Sequence, residues 1–371
     1  MAKIIYGINS EGLGHATRSI PVINYLMKKH DLVIVSGGKP YEFLSQIYKN
    51  IFKTKGFTAV YEKNRISLFK SLQTNLTRSD TPSFFKNLSV LFKGFNPDIV
   101  ICDLEPMSSF FSRLRNLPLI NIDNQGLYIV GKLKVAPKDS FDFQKTKNLV
   151  KTWVPRADYF FICSFFPVEI KKRFLKNKKA RVIKPILRDD ILKLEKKREK
   201  NYIFVYQTHD NNEELVNILS QVKYKFHAYK LPRTRHVRNI NFKQLNKNSL
   251  KDLAHARAVI TNGGFTLISE ALFLKKPVLS IPIRGIYEQK LNGLKVQEMG
   301  FGEYHKNITP EIIENFIKKI PEYKENLAGY KGSGNSDLFQ ELDEMIPRLI
   351  QEKKEKKERI RRFFKRLFFI K

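Results

Sequence analysis

Residues 262–293 read NGGFTLISEALFLKKPVLSIPIRGIYEQKLNG, and this stretch decides the fold. A short apolar run at 257–260 (RAVI) leads into Gly263 and Gly264. A helix-period run over 265–274 follows, then a second apolar run (PVLSIP), then Glu288, Gln289 and Asn292. Strand, glycine turn, helix and strand in that order make half of a parallel α/β unit. The glycine pair lets the backbone come close to a phosphate, and the helix start beyond it offers free N–H groups and a positive dipole end. Glu270 lies further along that helix, in reach of a ribose. Gln289 and Asn292 are neutral hydrogen-bonding groups of the kind that read sugar hydroxyls. A glycine pair alone is a weak signal, whereas the ordered set is specific.

That set resembles the donor-binding signature of GT-B glycosyltransferases, and within them the family-28-like and glucuronosyltransferase-like group. Those motifs run H-G-G, a Ser/Thr position, E-A, G-x-P, a second Pro, D/E-Q and N-A. Here Asn262 stands where His is common and Lys275 where Gly is common, and Pro282 lies slightly further from Glu288-Gln289. These departures bear on the nucleotide and sugar rather than on the fold. The resemblance extends to the N-terminus, to PDIVICDLEP (97–106) and to INIDNQG (120–126), so it covers most of the chain. It implies an α/β protein of two Rossmann-like, doubly wound parallel-sheet domains facing a central cleft. The acceptor would sit on the first domain and a nucleotide-sugar donor on the second. In such enzymes a helix dipole with basic or hydroxyl side chains steadies the leaving diphosphate, and no metal or other cofactor is required. Gly263, Gly264, Phe265 and Thr266 would do this here. Arg284 would add charge near the diphosphate or serve as a solvated loop arginine.

Bulk properties agree with two folded domains. A chain of 371 residues exceeds a comfortable single core. Cys102 and Cys163 both lie in apolar, strand-like runs, which argues for a reduced cytoplasmic setting and against a disulfide frame or zinc site. The start, MAKIIYGINSEGLGH, lacks the apolar segment of a signal peptide, and no window reaches the ~20 apolar residues of a membrane span. The formal charge of +32 has two readings, a lysine-rich compositional bias or an anionic partner. No RNA-recognition signature, zinc finger or helix-turn-helix is present, so no specific nucleic acid is expected and anionic lipid fits better.

Along the chain, apolar runs at 3–8, 31–35, 99–102, 119–122 and 159–163 predict buried strands, with helix-period stretches such as 18–29 between them. A second series begins at 201–206 and continues through 213–221 (helix), 225–229 (strand), 249–255 (helix) and 257–260. The expected division is 1–183 for the first domain, 184–200 for a charged linker opened by Pro185, 201–345 for the second domain and 346–371 for a basic tail.

The loop GINSEGLGH (7–15) follows the first strand, and its Gly12-Leu13-Gly14-His15 resembles the family's cleft-facing hallmark. Inverting sugar transfer needs a base to take the acceptor hydroxyl's proton, and a histidine titrating near neutrality suits that role. His15 is the first choice. Asp103, at the end of a strand, is the preferred partner to fix its tautomer, with Glu105 just beyond. Asp123 ends another strand and could bind acceptor hydroxyls or act as the base itself, and Glu11 in the glycine loop is a further carboxylate. Acids at strand ends also commonly cap the next helix. No metal-ligand spacing is evident.

The last segment, RIRRFFKRLFFIK (359–371), predicts a basic amphipathic helix. At 100° per residue Ile360, Phe363, Phe364, Leu367 and Phe368 share one face, and Arg361, Arg362, Lys365 and Arg366 the other. Residues 351–371 hold ten Lys/Arg and three Glu. The competing expectation is a terminal helix packed on the first domain. Residues 171–184 (eight basic, no acid) and 83–95 (phenylalanine mixed with lysine) would extend a lipid-facing surface. The leading expectation is therefore an inverting, metal-independent transferase using a UDP-sugar and a lipid or lipid-linked acceptor, peripheral on the cytoplasmic membrane face. A nucleotide-sugar hydrolase or epimerase, or a nucleic-acid-binding protein on the same scaffold, are the alternatives.

Overall fold

The computed structural model describes residues 1–54, 60–62, 65–67, 81–154, 157–194, 198–207, 212–233, 236–246 and 248–368. Two parallel sheets organise them. The first contains β1 (Lys3–Ile8), β2 (Asp31–Ser36), β3 (Ile51–Lys53), β6 (Ile99–Asp103), β7 (Leu119–Asp123), β8 (Tyr159–Cys163) and β9 (Ala180–Ile183), in the order β3-β2-β1-β6-β7-β8-β9. A separate two-stranded antiparallel sheet pairs β4 (Val60–Glu62) with β5 (Arg65–Ser67). The second sheet contains β10 (Ile203–Tyr206), β11 (Phe226–Tyr229), β12 (Ile240–Lys243), β13 (Ala258–Thr261), β14 (Val278–Ser280) and β15 (Gly302–Tyr304), in the order β12-β11-β10-β13-β14-β15. Every residue of β6, β7, β8 and β13 is buried, as expected of parallel strands covered by helices on both faces.

Each sheet reverses its strand order once, between β1 and β6 in the first and between β10 and β13 in the second. Ligands of open α/β sheets bind outside the carboxyl ends of strands at such a switch point. Loop 9–12 and Asp103 mark the first switch point; Gln207 and residues 262–264 mark the second. One apolar core runs from the first sheet across to Phe265, Ile268 and Leu291 of the second domain, and a separate core fills the far side of the second sheet.

The C-terminal helix, Asn335–Phe368, differs from expectation. The division at 345/346 falls inside this single helix. Its residues Leu338, Leu342, Met345, Ile346 and Leu349 are buried in the core shared with the first domain, at the spacing of one helical face. Phe339 stacks on Tyr25 at 4.2 Å, and Lys29 pairs with Asp343 at 2.6 Å. Packing on the first domain thus describes the helix up to residue 349. Residues 351–362 are exposed apart from a half-buried Lys353, and the helical backbone continues to Phe368. The side chains of residues 363–368, with all of 369–371, lie outside the described residues, as do 195–197 of the expected linker. No helix among the described residues is long and apolar enough to cross a membrane.

Candidate active site

The first half of the site is built where β1 and β6 lie side by side, with Ile8 opposite Asp103. Leu104, at a left-handed φ of 53°, turns the chain sharply after Asp103, and Asn9 Nδ2 donates to its carbonyl at 2.8 Å. Gly12 at φ 68° turns the loop into the helix Leu13–Leu26. His15 lies in the first turn of that helix, 14% exposed, with Nδ1 2.8 Å from Asp103 Oδ1. Arg18, one turn later and on the same face, sends Nε to Asp103 Oδ2 at 2.7 Å and Nη2 to Oδ1 at 2.5 Å. Ser19 Oγ also donates to Oδ2, at 3.3 Å.

Burial alone would raise the Asp103 carboxyl, but the charges and hydrogen bonds of Arg18 and His15 outweigh it and hold the group at about 2. Asp103 is therefore an acceptor only. Its contact with His15 assigns the imidazole proton to Nδ1 and leaves the Nε2 lone pair free to accept a proton. Arg18 Nη2, 2.9 Å from Nδ1, is in that tautomer a close neighbour rather than a donor.

The second half is the glycine turn after β13. Gly263 has φ 90°, and a Cβ there would fall 2.6 Å from the Gln289 carbonyl oxygen, so this position requires glycine. At Gly264 a Cβ would meet nothing within 4 Å; this open N-cap starts the helix Phe265–Phe273. Its first N–H groups form the kind of cradle that takes an anion. The two halves touch. Thr266 Oγ1 donates to the Gly14 carbonyl at 3.1 Å, and the Phe265 ring lies 5.8 Å from the Arg18 guanidinium and 5.9 Å from the Phe165 ring. Glu288 accepts from Asn124 Nδ2 at 2.8 Å and from Gln125 Nε2 at 2.9 Å.

The other expected site residues occupy varied surroundings. Asp123 does not face the cleft: it is fully buried, and its Oδ1 accepts the Gly126 N–H at 2.7 Å. Glu105 is likewise no partner for His15; it caps the helix Pro106–Leu114, accepting from Met107 N at 3.0 Å and Ser108 N at 2.6 Å. Gln289 and Asn292 are buried and brace the turn after β13. Gln289 Oε1 accepts from Ile283 N at 2.9 Å, and Asn292 Nδ2 donates to the Gly263 carbonyl at 3.0 Å. Glu270 is buried and accepts both Nε and Nη2 of Arg188, at 2.7 and 2.8 Å, which ties the linker to the donor helix. Arg284 is exposed and donates to Asn307 Oδ1 at 3.1 Å. Glu11 is half-buried in the loop, with its backbone N–H on Asn9 Oδ1 at 2.8 Å.

Two of the three departures from the motif also have structural reasons. Asn262 Nδ2 donates to Gln207 Oε1 at 2.7 Å, joining the loops at the second switch point. Lys275 takes the left-handed φ of 60° that makes glycine common after a helix, and its ammonium binds the Leu327, Ala328 and Tyr330 carbonyls at the end of the helix Pro310–Ala328.

Burial, with the Asp103 charge nearby, pushes the Asp123 carboxyl up to about 7. A raised carboxyl keeps its proton in the folded state after the unfolded chain has lost it, so stability falls as pH rises from about 4 to about 7. Asp123→Asn removes that ionisation. The variant should gain melting temperature over the wild type at pH 8 and lose that advantage at pH 4; equal differences at both pH values would refute the assignment.

The sequence pattern of glycosyl transferase family 1 matches residues 2–321. The chain belongs to this family. An uncharacterized glycosyltransferase of Methanosarcina acetivorans is 25% identical over 364 residues, spanning 86% of this chain and 90% of that protein. A shorter match, 31% identical over 99 residues (24% of this chain, 27% of the other), is to a UDP-N-acetylglucosamine–N-acetylmuramyl-(pentapeptide) pyrophosphoryl-undecaprenol N-acetylglucosamine transferase of Bacillus cereus. The structure of Phytolacca americana UGT2 complexed with UDP-2fluoro-glucose and pterostilbene superimposes with a TM-score of 0.66 at 13% identity, over 94% of this chain and 100% of that one. The protein is thus a glycosyltransferase of GT-B type, acting between a nucleotide-sugar donor and an acceptor.

In this family 1 enzyme, sequence reasoning passed over Arg18, Asn124, Gln125 and Arg188 as site residues. The spacing of His15 and Arg18 was the available signal for the first, because residues three apart share a helix face. Nothing local marks the others, whose partners are distant in sequence.

Proposed function

We propose that this glycosyltransferase is an inverting, metal-independent enzyme that moves a sugar from a UDP-sugar to a lipid or lipid-linked acceptor at the cytoplasmic face of the membrane. The observation that carries the catalytic part is the His15–Asp103 pair standing beside the open helix start at Gly264, joined to it through Thr266 and Gly14. The diphosphate would rest on the N–H groups at 264–266, and Glu288 would bind sugar hydroxyls. A ribose at Glu270 would share the carboxylate with Arg188. The acceptor oxygen attacks the anomeric carbon from the face opposite the diphosphate. As that bond forms, the carbon–oxygen bond to phosphate breaks and its electron pair leaves with the nucleotide. His15 Nε2 takes the acceptor's proton. Among the described residues no three His, Cys, Asp or Glu side chains cluster as a metal site.

UDP is supported by the structural neighbour complexed with UDP-2fluoro-glucose and by the partial match to the UDP-N-acetylglucosamine transferase of Bacillus cereus, which also supports a lipid-linked acceptor. Membrane docking is supported by the C-terminal helix, whose residues 351–362 are exposed apart from Lys353, and by the dense basic sequence of its end. Thermal denaturation against a panel of nucleotides and nucleotide sugars tests the donor. At 100 times Kd a ligand adds about 2.7 kcal/mol, and for a chain this long about 2–4 °C. UDP and one UDP-sugar should produce that shift; a response to another base instead would replace UDP, and no response at all would remove the donor assignment.

Deleting residues 359–371 removes six basic residues. Each is worth about 1 kcal/mol beside an anionic bilayer, so binding to phosphatidylserine-containing vesicles should fall by more than 10³-fold. Retained vesicle binding by the truncated chain would eliminate the tail as the anchor.

A further inference from the structure

Arg18 is 3% exposed and its guanidinium is consumed by protein partners, so it cannot reach a substrate. Its contacts nevertheless run from one half of the site to the other. Nε and Nη2 hold Asp103, which holds His15. Nη1 donates to Asn124 Oδ1 at 2.6 Å, and Nη2 approaches Gln125 Oε1 at 3.4 Å. The far ends of both amides donate to the two oxygens of Glu288, on the other domain. Chemistry alone orients the chain: a guanidinium only donates and an ionised carboxylate only accepts, so each amide must turn its oxygen to Arg18 and its nitrogen to Glu288. Buried networks of this kind act as a unit rather than as independent pairs.

We infer that Arg18, with Asn124 and Gln125, is a positioning relay that couples engagement of the Glu288 carboxylate to the orientation of the His15–Asp103 pair. The inference rests on the assignment of His15 as base and Glu288 as sugar contact. Both oxygens of Glu288 accept hydrogen bonds from the first domain. A sugar hydroxyl competing for that carboxylate frees or reorients an amide, and the change passes through the guanidinium to Asp103. Lysine at position 18 would not serve, because one ammonium cannot hold a carboxylate by two parallel bonds and two amides besides. Arg18 is in this sense a positioning residue.

The test uses the full chain without substrate. The imidazole nitrogens of His15 are read by nitrogen-15 NMR, with His15→Gln identifying the signals. Glu288→Gln reverses one acceptor to a donor at the far end of the relay, and should shift the His15 nitrogen signals although it does not touch that ring. In an Asn124→Ala/Gln125→Ala background, which leaves the Arg18–Asp103 pair intact, the same substitution should produce no further shift. His15 signals that ignore Glu288→Gln, or that respond equally in both backgrounds, would overturn the relay. Because no turnover is involved, failure of the transfer assignment would show itself separately, in the nucleotide panel and in the activity of His15→Ala.

Discussion

Replacing His15 with alanine should lower the rate of sugar transfer by about 10²–10⁴-fold, the usual worth of a positioned general base. The effect belongs in kcat. The Asp103 contact occupies Nδ1 and leaves Nε2 as the other ring nitrogen; in the proposed mechanism Nε2 acts when the acceptor proton moves rather than when the nucleotide binds. The proposed diphosphate cradle at 264–266 is backbone and hydroxyl, and a missing imidazole leaves it in place. UDP is therefore expected to raise the melting temperature of His15→Ala as much as that of the wild type. Steady-state rates combined with that titration check both halves. Unchanged turnover would move the base to another group, with Glu11 the remaining loop carboxylate. Weakened UDP binding with normal turnover would recast His15 as a donor contact.

Asp103→Ala should be damaging twice over, and its larger effect should be on stability. Removing the carboxylate leaves Arg18 buried with its main counter-charge gone, and breaking a buried pair on one side costs about 3–5 kcal/mol. Urea denaturation would measure this. Asp103→Asn keeps the shape but loses the charge and its hold on the His15 tautomer. It should retain more stability than Asp103→Ala while losing most of the activity.

The pH dependence has a definite sign. The folded value of about 2 lies below the ordinary 3.8, so Asp103 stabilises the fold fully above about pH 4. That contribution, about 2–3 kcal/mol for a shift of this size, is lost as pH falls through 2. Acid denaturation of Asp103→Asn should lack this component. An acid limb identical to that of the wild type would mean that Arg18 and His15 do not depress the carboxyl.

How much of this was legible in the chain varies element by element. The runs at 3–8 and 159–163 are strands with the bounds their apolar character implied, and 213–221 is a helix as its periodicity implied. The edge strands Ile51–Lys53 and Gly302–Tyr304 were not visible, because three residues at a sheet edge carry too little periodic signal. The pairing of His15 with Asp103 was expected, since a loop after one strand and the end of another can meet at a switch point. Asp123, Glu105 and Asn292 were also expected at the cleft, Asp123 and Glu105 on the acceptor side and Asn292 on the donor side. A carboxylate at a strand end has the same local sequence whether it meets a substrate or caps the next turn.

The glycine pair at 263–264 with its following helix, and the basic helical pattern of the tail, are properties of consecutive residues. Period, φ and side-chain type over a few positions suffice to specify them, so sequence alone determined the two-sheet α/β plan and the glycine turn where the anion cradle is proposed. The contacts that give the cleft its chemistry join residues 15 and 103, 124 and 288, and 188 and 270. Which polar group is left free for a substrate depends on which distant partner claims it first. Only the packed tertiary structure decides that, because buried hydrogen bonds are settled by competition among groups that the sequence places far apart.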